Sequence, residues 1–102
     1  MGCELILAPE VVEDLDNAYF WYEDRRPGLG QEFLTAVEAS LEAIRRTPGI
    51  YATIHENYRR GLVRRFPYMI FYEHLGDVVT VYGVFHTARD PRTWRLRLRR
   101  AK

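Results

Sequence analysis

The spacing of apolar residues changes once along this chain, close to residue 50, and that change limits the folds available to it. Before this point apolar side chains recur at intervals of three and four residues, the period of an amphipathic helix. After residue 60 they fall in short runs rich in β-branched and aromatic residues, which are typical of strands. The sequence therefore predicts an α+β fold in which the helices come first and most of the sheet follows.

An opening strand over residues 3–8 is expected to precede two helices. Pro9 suits the first turn of a helix, because its missing N–H would have no helical partner there. The first helix is predicted to end before Pro27–Gly28 and the second before Pro48–Gly49. Their apolar stripes are Val11, Leu15, Ala18, Tyr19 and Tyr22, and then Phe33, Val37, Leu41 and Ile44. The short connection between them predicts an antiparallel helical hairpin.

Three strands are predicted in the second half, over residues 61–66, 68–75 and 78–86. Gly76–Asp77 is a two-residue connection of the kind that closes a hairpin, so the last two strands should pair with each other. Both are apolar on both faces and should be central in the sheet. Strict alternation places one set of side chains on a common face: Val78, Thr80, Tyr82, Val84 and His86. His86 is thus expected at a strand end, where a site can open.

Two segments fit more than one structure. Residues 51–58 suit either a loop or a short strand, and the basic tail from about residue 87 suits either a short helix capped by Asp90 or a strand. The predicted order is β-α-α-β-β-β in a single domain over residues 1–102, with the helical hairpin packed on a small, mostly antiparallel sheet. The first strand should return beside a later one, and the other face of the sheet should be solvated or covered by a partner.

Charge is divided unevenly between the two halves of the chain. The first fifty residues contain ten acids and four arginines, and the remainder contains four acids and eleven cations, although the net charge is only +1. All the cations except Lys102 are arginine, whose planar guanidinium suits phosphates, carboxylates and aromatic faces. The arginine bias also fits a coding preference, but that preference does not explain the segregation. The basic half is therefore expected to bind an anionic surface.

Cysteine content and hydropathy indicate the compartment and the class of protein. Cys3 is the only cysteine, so an internal disulfide is excluded and a reducing cytoplasm is expected. No apolar run approaches the roughly 20 residues that cross a bilayer, so no membrane partner is expected. The cysteine and histidine spacing fits no metal site, and no glycine-rich phosphate loop follows a strand, so no cofactor is expected.

Short motifs in a fixed order extend over most of the chain. They are Ala8-Pro9-Glu10, Trp21-Tyr22-Glu23, Pro27-Gly28-Leu29-Gly30, Arg65-Phe66-Pro67-Tyr68, and an ending with His86, Arg89-Asp90-Pro91 and Trp94. In this ordered set the chain resembles the RelE/ParE superfamily of toxins from type II toxin–antitoxin modules, on the ParE-like, plasmid-stabilisation side. The resemblance implies a cytoplasmic bacterial toxin that an antitoxin from the same operon neutralises. It implies DNA gyrase as the target, as for ParE, or ribosome-bound mRNA, as for RelE.

A ribosome-dependent mRNA endonuclease would need side chains for metal-free RNA cleavage. That chemistry requires a base near the 2′-hydroxyl, an acid near the leaving oxygen and cations on the phosphate. The candidates are His86 as acid or base, Glu56 as base and Arg65 as phosphate clamp, with Arg64 and Arg89 as alternative clamps. His86 equally fits a structural role at a strand end, hydrogen-bonded to nearby backbone.

A gyrase inhibitor would act by binding alone, and this is the function we expect first. RNA-cleaving relatives generally carry an arginine at the start of the third strand, where this chain has Tyr68. The residues predicted to contact the target are Arg59, Arg60, Arg64, Arg89, Arg92, Trp94 and Arg95. Arginine and aromatic side chains are common anchors of interfaces, although Trp94 also fits packing on the protein's own core. A third possibility is a non-toxic relative that only binds an antitoxin.

Overall fold

The structure, a computed structural model, describes residues 2–101, which form five strands and three α-helices. In chain order these are β1 (Glu4–Leu7), α1 (Pro9–Arg25), α2 (Leu29–Arg46), β2 (Ala52–His55), β3 (Tyr58–Leu62), β4 (Tyr68–Leu75), β5 (Val78–His86) and α3 (Pro91–Arg100), with a 3-10 turn over Pro48–Ile50 before β2. The predicted α+β class and the helical hairpin are confirmed. The domain prediction also covered residues 1 and 102, which lie outside the described residues.

The predicted element order lacks two elements that the structure contains. Residues 51–58 supply β2 and the start of β3, and the basic tail forms a helix, α3. β3 covers Tyr58–Leu62 and not residues 61–66 as predicted. The reason is local, because Arg65 has a left-handed φ of 73° and Pro67 has no N–H to donate to a neighbouring strand.

The strands form one sheet in the order β1-β5-β4-β3-β2. β1 is parallel to β5, and the other neighbours are antiparallel. β4 and β5 are therefore internal, as their apolar sequences predict, and β1 returns beside the last strand. The pairing of β1 with β5 stops where Leu7 lies opposite Val81. Beyond Val81, none of the described strands covers this edge of β5, and we call this stretch the open edge.

The helical hairpin covers one face of the sheet. Its buried residues are Val11, Ala18, Tyr22, Phe33, Val37, Leu41 and Ile44, packed against Ile70, Tyr72, Val79, Val81 and Val84. Glu23 joins the two helices, because its carboxylate accepts the N–H groups of Gly28 and Gly30 at the start of α2, at 2.9 and 3.0 Å. Gly28 has a φ of 90°, a conformation that glycine adopts without strain, so it suits the sharp reversal between α1 and α2.

α3 covers part of the opposite face. The residues buried there are Tyr58, Met69, Phe71, Phe85, Trp94 and Leu98. The helix begins at a cap, because the Asp90 carboxylate accepts the N–H of Arg92 at 2.9 Å. The expectation that this face is solvated or covered by a partner is therefore wrong where α3 lies. β4 is apolar on both faces because a helix packs on each side of it.

A bulge interrupts β5. Phe71 of β4 pairs with Gly83, but the next residue of β4, Tyr72, pairs with Val81. Tyr82 is therefore the extra residue on β5, with no residue of β4 opposite to it. An extra residue reverses the side to which every later side chain points.

The bulge changes which side of the sheet the end of β5 presents. Val81 before it and Val84 after it both pack under the helical hairpin, although they are three residues apart. Tyr82 packs toward the α3 side. The predicted common face is therefore wrong for Tyr82, which lies on the other side of the sheet from Val84 and His86. His86 lies on the side of α1, with its ring centroid 5.3 Å from that of Tyr68.

Candidate functional site

An ion pair closes the open edge of β5. Asp14 of α1 accepts the N–H of Val84 at 3.1 Å through Oδ2. Arg97 of α3 donates to both carboxylate oxygens of Asp14, at 2.9 and 3.0 Å, and to the carbonyl of Tyr82 at 3.1 Å. The side chains of Arg97 and Asp14 are only 23% and 11% exposed. Hydrogen bonding to Asp14 raises the pKa of Arg97.

A groove of about 370 Å³ lies between α1 and the end of β5, and we call it the α1 groove. It is lined by Asp14, Asn17, Ala18, Trp21, Tyr68, Val84, His86 and Arg89. His86 is oriented by backbone, because its Nδ1 accepts the N–H of Ala88 at 3.0 Å. A neutral His86 ring therefore carries its hydrogen on Nε2. Burial raises the pKa of Tyr68, and nearby Arg89 acts in the opposite direction.

A second groove, of about 270 Å³, lies on the other face of the sheet beside the start of α3, and we call it the α3 groove. It is lined by Ile54, Arg60, Leu62, Met69, Phe71, Thr87, Arg89, Pro91 and Trp94. Arg60 is directed at its floor, with Nη1 3.5 Å from the sulfur of Met69. The lining combines an apolar floor with two guanidinium groups, and no carboxylate or imidazole is among the described residues that form it.

A third groove, of about 480 Å³, runs between α2 and β3, and we call it the α2 groove. Its lining residues are Ala39, Ser40, Ala43, Ile44, Tyr51, Gly61, Leu62, Val63 and Arg64. The α2 side is made of small side chains, and the exposed Leu62 rises from the β3 side. Such a surface allows close approach of another apolar chain segment.

The three predicted catalytic residues are not brought together. Glu56 lies in the turn between β2 and β3, next to Tyr58, which pairs with Glu73 near the far end of β4. His86 pairs with Tyr68 at the near end of the same strand. Glu56 and His86 are thus at opposite ends of the sheet.

Arg65, the predicted phosphate clamp, is directed to the helical hairpin. It lies between β3 and β4, and its Nη2 donates to Glu32 of α2 at 3.2 Å. Glu32 also accepts from Arg26, and these two arginines hold the pKa of Glu32 below its usual value, with the Arg26 hydrogen bond as the larger cause. Arg65 therefore pairs with an acid on α2.

The predicted target-binding arginines divide into two groups. Arg59 has a structural role, because Nη1 donates to the carbonyls of Tyr51 at 2.6 Å and Gly49 at 3.3 Å. Arg60 and Arg89 line the α3 groove, and Arg64 lines the α2 groove. These three side chains are available to a partner.

The remaining predicted contacts are on α3. Trp94 is only 8% exposed and stacks on Phe71, with ring centroids 5.0 Å apart. The surface role predicted for Trp94 is therefore corrected to core packing, the alternative that its sequence context also allowed. Arg92 is exposed and pairs with Asp90 at 2.7 Å, and Arg95 lies 5.2 Å from the Trp94 ring centroid.

The sequence did not assign Asp14, Arg97 or Trp21 to the site, and it did not mark Phe20 beside Trp21 as exposed. Asp14 and Arg97 form the pair at the open edge, but nothing in the arginine-rich tail distinguishes Arg97 from its neighbours. Trp21 is 51% exposed and Phe20 is 63% exposed, which is unusual for two adjacent large rings on one helix. A large aromatic residue outside the apolar stripe of α1 was the available signal for both.

Within residues 2–101, no three side chains of the histidine, cysteine, aspartate or glutamate type are grouped so that they could hold a metal ion. None of the helices in that range combines the length and the apolar character needed to span a bilayer.

The sequence is related to known toxins. The model of one family, described as the ParE toxin of the type II toxin–antitoxin system, parDE, matches residues 5–91. The chain is also 26% identical over 82 residues to toxin ParE2 from two strains of Mycobacterium tuberculosis. That match covers 79% of this chain and 78% of the relative.

Solved structures with the same fold include a chain of the chromosomal ParDE toxin–antitoxin system from P. aeruginosa. It superimposes with a TM-score of 0.74 at 14% identity, covering 82% of this chain and 95% of that one. The E. coli toxin RelE, solved as a double arginine-to-alanine mutant in the free state, superimposes with a TM-score of 0.72 at 15% identity, covering 98% of both chains.

These likenesses place the chain in the RelE/ParE superfamily of toxins, and the predicted resemblance is confirmed. The family match extends over most of the sequence, so the chain belongs to the ParE toxin family of type II toxin–antitoxin systems.

Proposed function

We propose that this toxin inhibits DNA gyrase by binding to it, and that it does not cleave RNA. The separation of Glu56 and His86 is the observation that carries the proposal. Metal-free cleavage of RNA needs an acid and a base on either side of one phosphate. Two candidates at opposite ends of a sheet cannot act on the same phosphate, so the positions of Glu56 and His86 support a binding function over cleavage by this pair.

The α3 groove supports binding. Arg60 and Arg89 flank an apolar floor that contains Leu62 and Met69, a combination that suits the core and rim of a protein interface. Arg92 and Arg95 on the exposed side of α3 extend the positive charge. We therefore expect gyrase to contact the face formed by α3 and this groove. We also expect the toxin to act in the cytoplasm.

An antitoxin from the same operon is the second partner that we propose. The α2 groove offers small side chains along α2 and the exposed Leu62, so it suits an apolar segment of that antitoxin. Acidic residues of the same segment would lie against Arg64 and the tail arginines. Rising salt should therefore slow the association of the two proteins more than it speeds their dissociation.

The gyrase proposal is tested by combining growth arrest with a supercoiling assay. The double variant Arg60→Ala/Arg89→Ala should inhibit supercoiling by purified gyrase at least about tenfold less well, the effect of losing roughly 1.4 kcal/mol of interface energy. His86→Ala is the matched control and should retain both inhibition and growth arrest. The proposal is wrong if the unmodified protein leaves gyrase unaffected.

Ribosome-dependent cleavage of mRNA is the second candidate, and one observation favours it. One groove is lined by Tyr68, His86 and Arg89. His86, the candidate acid, and Arg89, the candidate phosphate clamp, therefore lie close together there. This function predicts that His86→Ala abolishes growth arrest and that mRNA is cleaved only during translation. Expression without any growth arrest would instead indicate a relative that only binds an antitoxin.

A further inference from the structure

We propose that the α1 groove binds a nucleotide unit, an aromatic base that carries one phosphate. The ligand is either a free mononucleotide or the phosphorylated end of a strand, since both have this chemistry. The α1 groove is distinct from the α3 groove of the gyrase contact, although Arg89 lines both, and the proposal does not depend on gyrase inhibition.

Aromatic side chains form two sides of the α1 groove. Trp21 lines it from α1 and is half exposed. Tyr68 and His86 line it from the sheet as an edge-to-face pair. Exposed rings on two sides of a cleft are suited to a planar ligand, because a base can stack on one and meet the edges of the others.

The ring of Trp21 is held in place by a charged neighbour. The guanidinium carbon of Arg25 lies 4.0 Å from the centroid of the Trp21 ring. This contact holds the indole and places a positive charge beside its ring. The stacking platform is therefore already in position before a ligand arrives, which reduces the entropy cost of binding.

The charge that remains in the groove is positive. Asp14 is the only acid of the lining, and Arg97 neutralises it through two hydrogen bonds. Among the described residues no carboxylate pairs with the guanidinium of Arg89, whose carbon lies 5.3 Å from the centroid of the Phe85 ring. A phosphate would place its negative charge beside Arg89 and accept the Nε2 hydrogen of His86.

Size and polarity agree with this ligand. A groove of about 370 Å³ lies within the range of small-molecule sites, which is roughly 300–1,000 Å³. Asn17 lines the groove and offers both a donor and an acceptor to the edge of a base. The groove therefore presents a stacking ring, an amide and an uncompensated cation, which together match a nucleotide.

Tryptophan fluorescence provides a direct readout, because the two tryptophans differ in environment. Trp94 is buried against Phe71, whereas Trp21 is open to the groove. Titration with AMP or UMP should quench the emission to a plateau, and ribose 5-phosphate and inorganic phosphate should not. A 5′-phosphorylated oligonucleotide and its unphosphorylated form, titrated in parallel, distinguish a strand end from a free nucleotide as the source.

Variants are compared by calorimetry, which does not depend on Trp21. Trp21→Ala should weaken AMP binding by about 5- to 150-fold, the loss of one stacking contact of roughly 1–3 kcal/mol. Arg89→Ala should weaken the binding of AMP but not that of adenosine. The matched controls are Phe20→Ala, an exposed ring outside the lining, and Arg92→Ala, an arginine paired with Asp90; both should bind AMP normally.

Four results would overturn the proposal. Equal quenching by ribose 5-phosphate would show that only charge is recognised. Equal losses in Trp21→Ala and Phe20→Ala would show that the groove is not the site. An absence of saturable binding by any nucleotide would show that the groove is not a nucleotide site. Tighter binding of a short acidic peptide with an aromatic residue than of AMP would show that the ligand is a protein. Gyrase inhibition is measured separately and is unaffected by all four.

Discussion

Asp14 on α1 and Arg97 on α3 form a two-fold hydrogen-bonded ion pair around the open edge of β5, although 83 positions separate them in the sequence. The two helices lie on opposite faces of the sheet. The same carboxylate also accepts the N–H of Val84. The Asp14 side chain therefore hydrogen-bonds both to the open edge of β5 and to α3. The pair therefore fixes α3, and with it the arginines of the α3 groove, relative to the helical hairpin.

Replacing Asp14 by Asn should lower the free energy of unfolding by about 2 kcal/mol or more, because Arg97 is left largely buried without its counter-charge. Urea denaturation followed by tryptophan fluorescence measures this loss. Arg97→Gln should cost a similar amount, and the double variant less than the sum of the two. Arg92→Ala, which breaks the exposed pair with Asp90, should cost no more than about 0.5 kcal/mol. Similar losses at both pairs would contradict this interpretation.

Stability should fall in acid, and Glu42 should contribute to the fall. The hydrogen bond from Arg45 lowers the pKa of Glu42 to about 2, well below its ordinary value of 4.5. A carboxyl whose pKa is lower in the folded state stabilises the fold above its unfolded pKa, and this contribution is lost as the pH drops toward 2. Thermal melts of Glu42→Gln should thus depend less on pH between about 4.5 and 2 than melts of the parent protein. Parallel curves would refute the assignment.

Trp94→Ala should lower the stability of the fold, and any loss of partner binding should follow from that. Removing a buried ring that stacks on Phe71 leaves a cavity and should cost about 3–5 kcal/mol. α3 should then be released, so trypsin should cleave faster at the tail arginines. Trp21→Ala is the control, since the exposed ring should cost less than about 1 kcal/mol. A stable Trp94→Ala protein with intact α3 would show that the packing assignment is wrong.

Gly30→Ala should destabilise the helical hairpin. A Cβ at this position would lie 2.7 Å from the ring of Tyr19 and 2.8 Å from its backbone carbonyl, so α1 and α2 would have to move apart. We expect a loss of about 1–3 kcal/mol in the free energy of unfolding, as for other overpacked sites. Gly49→Ala is the matched control, because its Cβ would meet no atom within 4 Å and should change stability by less than about 1 kcal/mol. Circular dichroism melts of the two variants distinguish these outcomes.

The bulge in β5 explains why the position of His86 at the end of the strand was predicted correctly, whereas the face it was expected to share with Tyr82 was not. Apolar and β-branched residues mark the length of the strand, and its bounds agree with the prediction. The side to which His86 points depends on the extra residue at Tyr82, which is a matter of pairing with β4. No local sequence pattern indicates where a bulge adds this extra residue.

The amino-acid sequence by itself determined α1, α2, the β4–β5 hairpin and the membership of the toxin family, because helical spacing, turn residues and ordered motifs are properties of neighbouring residues. Only the tertiary structure decided which arginines are free. It buried Trp94, paired Arg97 with Asp14 and directed Arg65 to Glu32, while it left Arg60 and Arg89 beside open grooves. The physical reason is that every arginine in the sequence carries the same guanidinium group. Its role depends on the acid or ring that folding brings next to it.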